Sequence, residues 1–422
     1  MGHGTTITGL RCISCGSVYP ADDRLTCAAC GPSVGILDAC YDLDAARRTL
    51  TRGALAERPR DMWRYAELLP LAAEAERPPL HVGWTPLVEA PRLAARTGVA
   101  RLRLKDDGRN PTASFKDRAS AVGAACARQF GRGAVACAST GNAASSLAGM
   151  AAAMGIPATI FVPQRAPEPK LAQLLLFGAR VLRVRGTYDR AYDLCMEACA
   201  RYGWYNRNCA VNPYLVEGKK TAGLEIGEQT ADDPPDWVAV SVGDGCTLAG
   251  IWKGLVETHA LGILPRLPRL LGVQAEGSQA LVRQWETAGE ERLPVTDART
   301  VADSICVSTP RNWLKALRAV RAADGVMLAV DDAAILEALR VMPRLSGVFA
   351  EPAAAAALAG VVEARRRGII AAGDNVLCMV TGNGLKDIRT AVEAAGSPFD
   401  VDPDMDSVEA AVGAARGTGA AE

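Results

Sequence analysis

Short apolar runs that end in a glycine-bearing loop and pass at once into a helix-forming stretch recur along this chain, and no other feature limits its fold so strongly. Gly133–Ala138 leads into Ser139-Thr140-Gly141-Asn142 and the alanine-rich Ala143–Met154. Trp237–Val242 leads into Gly243-Asp244-Gly245-Cys246-Thr247 and then Ala249–Thr258, and Val376–Val380 leads into Thr381-Gly382-Asn383-Gly384. Between the first two, Ala158–Val162 and Val181–Val184 read as strands on either side of a helix over Lys170–Phe177. Strands alternating with helices at this rhythm predict an α/β fold with parallel sheets wound on both faces, ligands collecting at the carboxyl ends of the strands. At 422 residues the chain exceeds what one core usually supports, so two or more domains are expected.

The segment Leu102–Ala119, LRLKDDGRNPTASFKDRA, places a lysine where an apolar strand turns into a helix. Asp107-Gly108-Arg109-Asn110-Pro111 is the turn, and Ser114-Phe115-Lys116-Asp117-Arg118 opens the helix. Alone, Lys116 reads as a solvated first-turn charge. Beside two further glycine loops it reads better as an amine that condenses with a carbonyl cofactor, which requires a desolvated site that lowers its pKa. The loop Gly243–Thr247 can turn backbone N–H groups toward an anion at the positive end of the next helix, and it has no P-loop lysine. That suits a phosphate monoester, although a plain tight turn would read the same way. Asn142 offers an amide beside another helix start, where it could meet a carboxylate or phenolate oxygen or serve only as a cap.

Lysine plus arginine and aspartate plus glutamate both number 47, so no bulk charge favours nucleic acid or an anionic membrane. No apolar run reaches the roughly 18 residues of a membrane helix, and the N-terminus has no signal-peptide pattern. The expectation is a cytoplasmic protein. Of thirteen cysteines, nine are scattered among apolar or small residues as reduced, buried groups. Cys12, Cys15, Cys27 and Cys30 form two Cys-x2-Cys knuckles, the spacing of a closed four-thiolate zinc site. An empty thiol cluster or a pair of disulfides also fits that spacing. Asp42–Arg77 reads as a helical cover, with Met62, Trp63, Tyr65, Leu68 and Leu69 on its apolar face. With only His3, His81 and His259 in the chain, a histidine base is improbable, and a lysine able to anchor a cofactor and carry protons needs none.

Together these motifs resemble the fold-type II pyridoxal-phosphate enzymes, the tryptophan synthase beta-like fold, and within them the threonine synthase family. The lysine motif is Asp107–Arg118, the asparagine loop Ala138–Ser145, the phosphate loop Gly243–Thr247 and the C-terminal loop Thr381–Asp387. Gly83-Trp84-Thr85-Pro86-Leu87 and Glu351-Pro352-Ala353 also match, all in the family's order over about residues 80 to 390. The resemblance implies that Lys116 holds pyridoxal 5'-phosphate covalently and shuttles protons, with Phe115 near the ring and Asn142 on its phenolic oxygen. It implies that Gly243, Asp244, Gly245, Cys246 and Thr247 hold the phosphate and that Thr381 meets the pyridine nitrogen. Ser139, Thr140, Gly141, Asn142 and Ala143 would take the substrate carboxylate. A homodimer is implied as well.

One departure bears on the substrate. A threonine synthase must hold the phosphate of O-phosphohomoserine, and the family's arginine after Asn-Pro-Tyr is here Leu215, with Cys209-Ala210 where more polar residues are usual. An isobutyl group cannot make a bidentate phosphate contact. Either Lys219, Lys220, Arg109 or Arg311 compensates, or the substrate carries another leaving group, as in threonine or serine ammonia-lyases or replacement enzymes of specialised metabolism. A non-catalytic zinc-ribbon interaction protein is a more distant alternative. The expected domains are a zinc-ribbon-like segment at 1–41, a large cofactor-binding domain from 42–130 and 211–405, a small domain at 131–210, and a flexible tail at 406–422.

Overall fold

The computed structural model describes residues 4–418 apart from 167, 288, 290–293, 295 and 296. His3 lies outside the described residues. Strands β1 (Ile7–Cys12), β2 (Val18–Tyr19) and β3 (Leu37–Tyr41) pair antiparallel in the order β2-β1-β3. Charged contacts fasten this small sheet to the rest of the chain. Lys253 and Lys315 reach Asp38 on β3 at 3.1 and 2.6 Å, and Arg318 donates to the Ile13 carbonyl at 2.6 Å.

The stretch expected as a helical cover is more broken than its pattern. Helices Leu43–Thr49 and Arg52–Ala56 are followed by a tight 3-10 stretch, Met62–Leu68, interrupted at Tyr65. Pro59 intervenes, and the Asp61 carboxylate restarts the chain by accepting the Trp63 N–H at 2.8 Å. Met62, Trp63, Tyr65, Leu68 and Leu69 are all buried, as their spacing predicts.

β4 (Leu87–Glu89) and β5 (Arg101–Asp106) open a six-stranded sheet. A separate four-stranded sheet intervenes in sequence, made of β6 (Val135–Ala138), β7 (Ala158–Pro163), β8 (Arg180–Val184) and β9 (Tyr205–Asn206). The first sheet resumes with β10 (Trp237–Ser241), β11 (Arg269–Ala275), β12 (Val326–Val330) and β13 (Asn375–Val380). The orders are β12-β11-β10-β13-β5-β4 and β8-β7-β6-β9, with every pair parallel except the edge pair β4–β5. Along β10 and β13 successive side chains enter different cores. Val238, Val240, Leu377 and Met379 pack with Ile251 and Leu255, while Ala239, Val376 and Cys378 pack with Ala355 and Leu358. Burial on both faces is why these strands read as unbroken apolar runs.

Three helices bring the glycine loops and the lysine together: Lys116–Gln129, Tyr214–Gln229 and Cys246–Ala260. Their crossing depends on bare backbone, since a Cβ on Gly218 would stand 2.2 Å from the Arg118 carbonyl oxygen. At the far end, Met405–Thr418 is a helix where a loose tail was expected.

Candidate active site

The lysine segment is held by a buried set of charges. Arg118 donates to Asp107 Oδ2 at 2.6 Å and to Glu225 Oε1 at 2.5 Å, and Lys105 donates to Glu225 Oε2 at 2.7 Å. All four side chains are excluded from solvent. The two cations hold the Glu225 carboxyl below its ordinary range against the opposing effect of burial. At roughly 100° per residue, two positions along a helix are on opposite faces, so clamping Arg118 into this cluster turns Lys116 the other way.

Lys116 faces a cavity, and Gly243, Asp244, Gly245, Cys246 and Thr247 line the same cavity. Ser241, Glu351 and Thr381 contribute to the wall, as do Cys209 and Lys219. Among the described residues no hydrogen bond or ion pair engages the Lys116 amine. Burial lowers its pKa, and the Lys219 charge adds to the effect. The Gly243–Thr247 loop turns at Gly245, whose φ of 91° is a left-handed conformation that favours glycine. Gly245 also caps the Cys246–Ala260 helix without any side-chain hydrogen bond, which leaves N–H groups of its first turn directed at the loop. The loop is fixed from outside, where the Arg311 N–H donates to Asp244 Oδ1 at 3.1 Å and the Asn312 N–H to the Asp244 carbonyl at 3.1 Å.

Thr381 is brought in by the chain crossing behind it. The Phe115 N–H donates to the Thr381 carbonyl at 2.8 Å, the Asn383 N–H to the Ala113 carbonyl at 3.1 Å, and the Glu351 N–H to the Gly382 carbonyl at 3.0 Å. Phe115 itself does not line the cavity; its ring is buried in the core with Val238, Val240 and Met379. Asn142 stands one layer out, its amide donating to both Glu351 oxygens at 3.0 and 2.9 Å. Burial pushes the Glu351 carboxyl up, against the Asn142 hydrogen bond and the Lys116 charge. Gly141 and Asn142 begin the helix Asn142–Ala153, and Ser139 Oγ accepts the Gly141 N–H at 3.2 Å. Ser139, Thr140, Gly141 and Ala143 are half-buried and stand outside the cavity wall.

Of the four cations that could stand in for an arginine at 215, Lys219 alone lines the cavity. Lys220 is committed to Glu217 and Glu257, Arg109 is exposed, and the Arg311 guanidinium lies 4.0 Å over the Tyr192 ring. Leu215 points elsewhere: a Cβ on Gly123 would meet its Cδ2 at 2.9 Å, so it seals the contact between two helices. Reading the sequence assigned no role to Ser241, nor to the pairing of Glu351 with Asn142. A Glu-Pro beginning an alanine-rich helix was the only local sign of the latter.

The segment 79–382 matches the family model described as "Pyridoxal-phosphate dependent enzyme", and fold and site together define a member of that class. A curated threonine synthase from Methanosarcina acetivorans is 38% identical over 405 residues, covering 96% of this chain and 98% of its own. One from Methanocaldococcus jannaschii is 36% identical over 94% and 97% of the two chains, and one from Mycobacterium tuberculosis 39% over 80% and 92%. The chain belongs to the threonine synthase family. Among solved structures, tomato threonine deaminase isoform 2 superposes with a TM-score of 0.62 at 22% identity, covering 74% of this chain and 88% of its own. Diaminopropionate ammonia lyase from Escherichia coli gives 0.63 at 18%, covering 76% and 88%; both show the shared fold-type II architecture.

The residues present fit the cofactor of that class. The unengaged amine of half-buried Lys116 and an uncapped helix start face one space, and Ser241 Oγ, a buried hydroxyl without a hydrogen-bond partner, borders it. At the end of β1 and in the turns beside the N-terminal sheet, the sulfurs of Cys12, Cys15, Cys27 and Cys30 all lie within 4.8 Å of one another. Among the described residues no helix is long and apolar enough to cross a membrane.

Proposed function

We propose that this chain converts O-phosphohomoserine and water to threonine and phosphate. The observation that carries this reading is the Lys116 amine sharing one cavity with the Gly243–Thr247 loop, in a chain aligned almost end to end with threonine synthases. Bound pyridoxal phosphate supplies an electron sink for carbanion chemistry next to the substrate nitrogen. Lys116 anchors it and moves protons at the substrate Cα, a task suited to an amine whose pKa burial lowers. The loop N–H groups hold its phosphate, and Thr381 gives its ring nitrogen a neutral hydroxyl. Asn142, held ready by Glu351, approaches its phenolic oxygen, and Ser139 to Ala143 receive the substrate carboxylate at a helix start. The domain division is read as 1–41, 42–130 with 211–405, and 131–210, and assembly as a cytoplasmic homodimer belongs to the same reading.

Structural zinc in the four-cysteine cluster is supported by geometry. A tetrahedron of Zn–S bonds of about 2.3 Å has sulfur–sulfur edges of about 3.8 Å. The Cys15–Cys27 and Cys12–Cys30 separations are 3.6 and 3.9 Å. Metal analysis of the purified protein is expected to give one zinc per chain, lost in Cys27→Ser; a metal-free wild type would remove zinc from the reading.

A second reading, elimination of ammonia from threonine or serine, is favoured by Leu215 and Cys209-Ala210. Offering O-phosphohomoserine, O-phosphoserine, threonine and serine in parallel separates the two. Phosphate released in step with threonine is expected, and keto acid and ammonia formed from threonine with no phosphate from O-phosphohomoserine would replace the first reading by the second.

A further inference from the structure

Buried charges are normally paired, because taking an ion out of water costs several kcal/mol that only a counter-charge offsets. This chain obeys that rule at Arg64, Arg103, Lys105, Arg118 and Lys220, each with a carboxylate within 4 Å. It departs from it at two places, Arg207 and Lys219, each 1% exposed and each without a carboxylate partner among the described residues. The two converge on one atom. Arg207 Nη1 and Lys219 Nζ both donate to Cys209 Sγ at 3.4 Å, and that cysteine and Lys219 line the cavity beside Lys116. Arg207 Nε is spent on Ser120 Oγ at 3.0 Å, one turn beyond Lys116, while Nη2 is buried with no partner.

We propose that Arg207 and Lys219 form a second anion subsite in the cavity, on the Cys209 side, which takes a tetrahedral oxyanion: the phosphoryl group of the substrate and, after reaction, free phosphate. The inference rests on the reading of the substrate as a phosphate ester. A thiolate at Cys209 offsets one of the two charges at most, so net positive charge remains at this part of the cavity wall, with Lys219 in the wall and Arg207 directly behind Cys209, whatever the state of the sulfur. A dianion matches two cations better than a carboxylate does, and an orphaned guanidinium nitrogen beside an ammonium suits several oxygens on one centre. The subsite draws on different parts of the fold: Arg207 follows β9 of the four-stranded sheet, and Lys219 belongs to the Tyr214–Gln229 helix. It supplies charge that Leu215, packed against Gly123 between two helices, does not.

The rival source of the same chemistry is the cofactor's own phosphate, and holoenzyme titrated with inorganic phosphate distinguishes them. Wild-type holoenzyme is expected to bind phosphate in calorimetry and to melt at higher temperature as phosphate is added. Arg207→Gln and Lys219→Gln are each expected to weaken that binding at least about tenfold, while cofactor dissociation, read by release and quantitation of bound pyridoxal phosphate, changes less than about threefold. Arg207→Lys, which keeps a charge, is expected to retain more of the phosphate affinity than Arg207→Gln. Failure of wild-type holoenzyme to bind phosphate overturns the proposal without any variant having to fold. So does unchanged phosphate affinity in both glutamine variants, or a loss of cofactor affinity in place of phosphate affinity. No arm reads threonine, so a chain that binds phosphate here yet ignores O-phosphohomoserine keeps the subsite and loses the proposed substrate.

Discussion

Two groups of charges meet at the helices Lys116–Gln129 and Tyr214–Gln229 and are built on opposite plans. On one face, Arg118 and Lys105 are matched by Asp107 and Glu225, every partner within 2.7 Å and none reached by water. On the cavity side, Lys116 and Lys219 in the wall and Arg207 behind it have no carboxylate partner among the described residues, and a cysteine sulfur is the group two of them share. The first group fixes where the helix Lys116–Gln129 begins, and the second is left uncompensated so that charge can be supplied from outside. Lys116→Ala tests the second plan most severely. Threonine formation is expected to fall on the order of 10⁴-fold, the top of the range for a positioned proton-transfer group, with the visible absorption of bound cofactor gone. Retention of either would end the assignment of Lys116. Glu225→Gln breaks the first plan, leaving Lys105 and Arg118 under-compensated. Urea unfolding is expected to show about 3–5 kcal/mol lost, and a cost below about 1 kcal/mol would mean the cluster relaxes toward water.

The contrast can be sharpened by pH. An unfolded lysine keeps its proton to near 10.5, whereas burial makes Lys116 release it earlier. Between those two values unfolding takes up a proton, so raising the pH favours the folded state, and below both the buried charge is a standing cost. Lys116→Met removes that cost. In the cofactor-free protein it is expected to raise the melting temperature at neutral pH, and the gain is expected to fade as the pH approaches 10.5. A gain that is constant with pH would place the lysine in water.

The same contrast explains what could be read in the sequence. The loops Ser139–Asn142, Gly243–Thr247 and Thr381–Gly384 and the lysine junction are local, each a strand, a turn and a helix start within about a dozen residues, so spacing and residue type sufficed. Membership in one cavity rests on sheet order, which puts β13 between β10 and β5 and carries Thr381 to Lys116. Arg207, Cys209 and Lys219 are close in the chain but take their meaning from Ser120 and Lys116 and from the lack of a carboxylate partner among the described residues, and an absence in space leaves no sequence signal. β11 escaped notice because Gly272 and Gln274 interrupt its apolar run, and β12 was missed although it is as long as β10. The single cover expected over 42–77 failed because a helical period survives in a chain whose breaks at Pro59 and Tyr65 leave it buried all round.

The smallest effect expected concerns the backbone that delivers Lys116. Ala113 holds a φ of 62°, a left-handed conformation in which its Cβ is crowded, while its carbonyl accepts the Asn383 N–H at 3.1 Å. That geometry costs an L-residue about 1–2 kcal/mol. Ala113→Gly removes the crowding but gives the unfolded chain more freedom, which takes back about 0.5–1 kcal/mol. The difference predicts a gain of about 0.5–1 kcal/mol in urea unfolding with cofactor binding unchanged. A loss of stability would show that the left-handed turn ahead of Lys116 is not populated, and with it the crossing that sets Thr381 against the lysine segment would have to be redrawn.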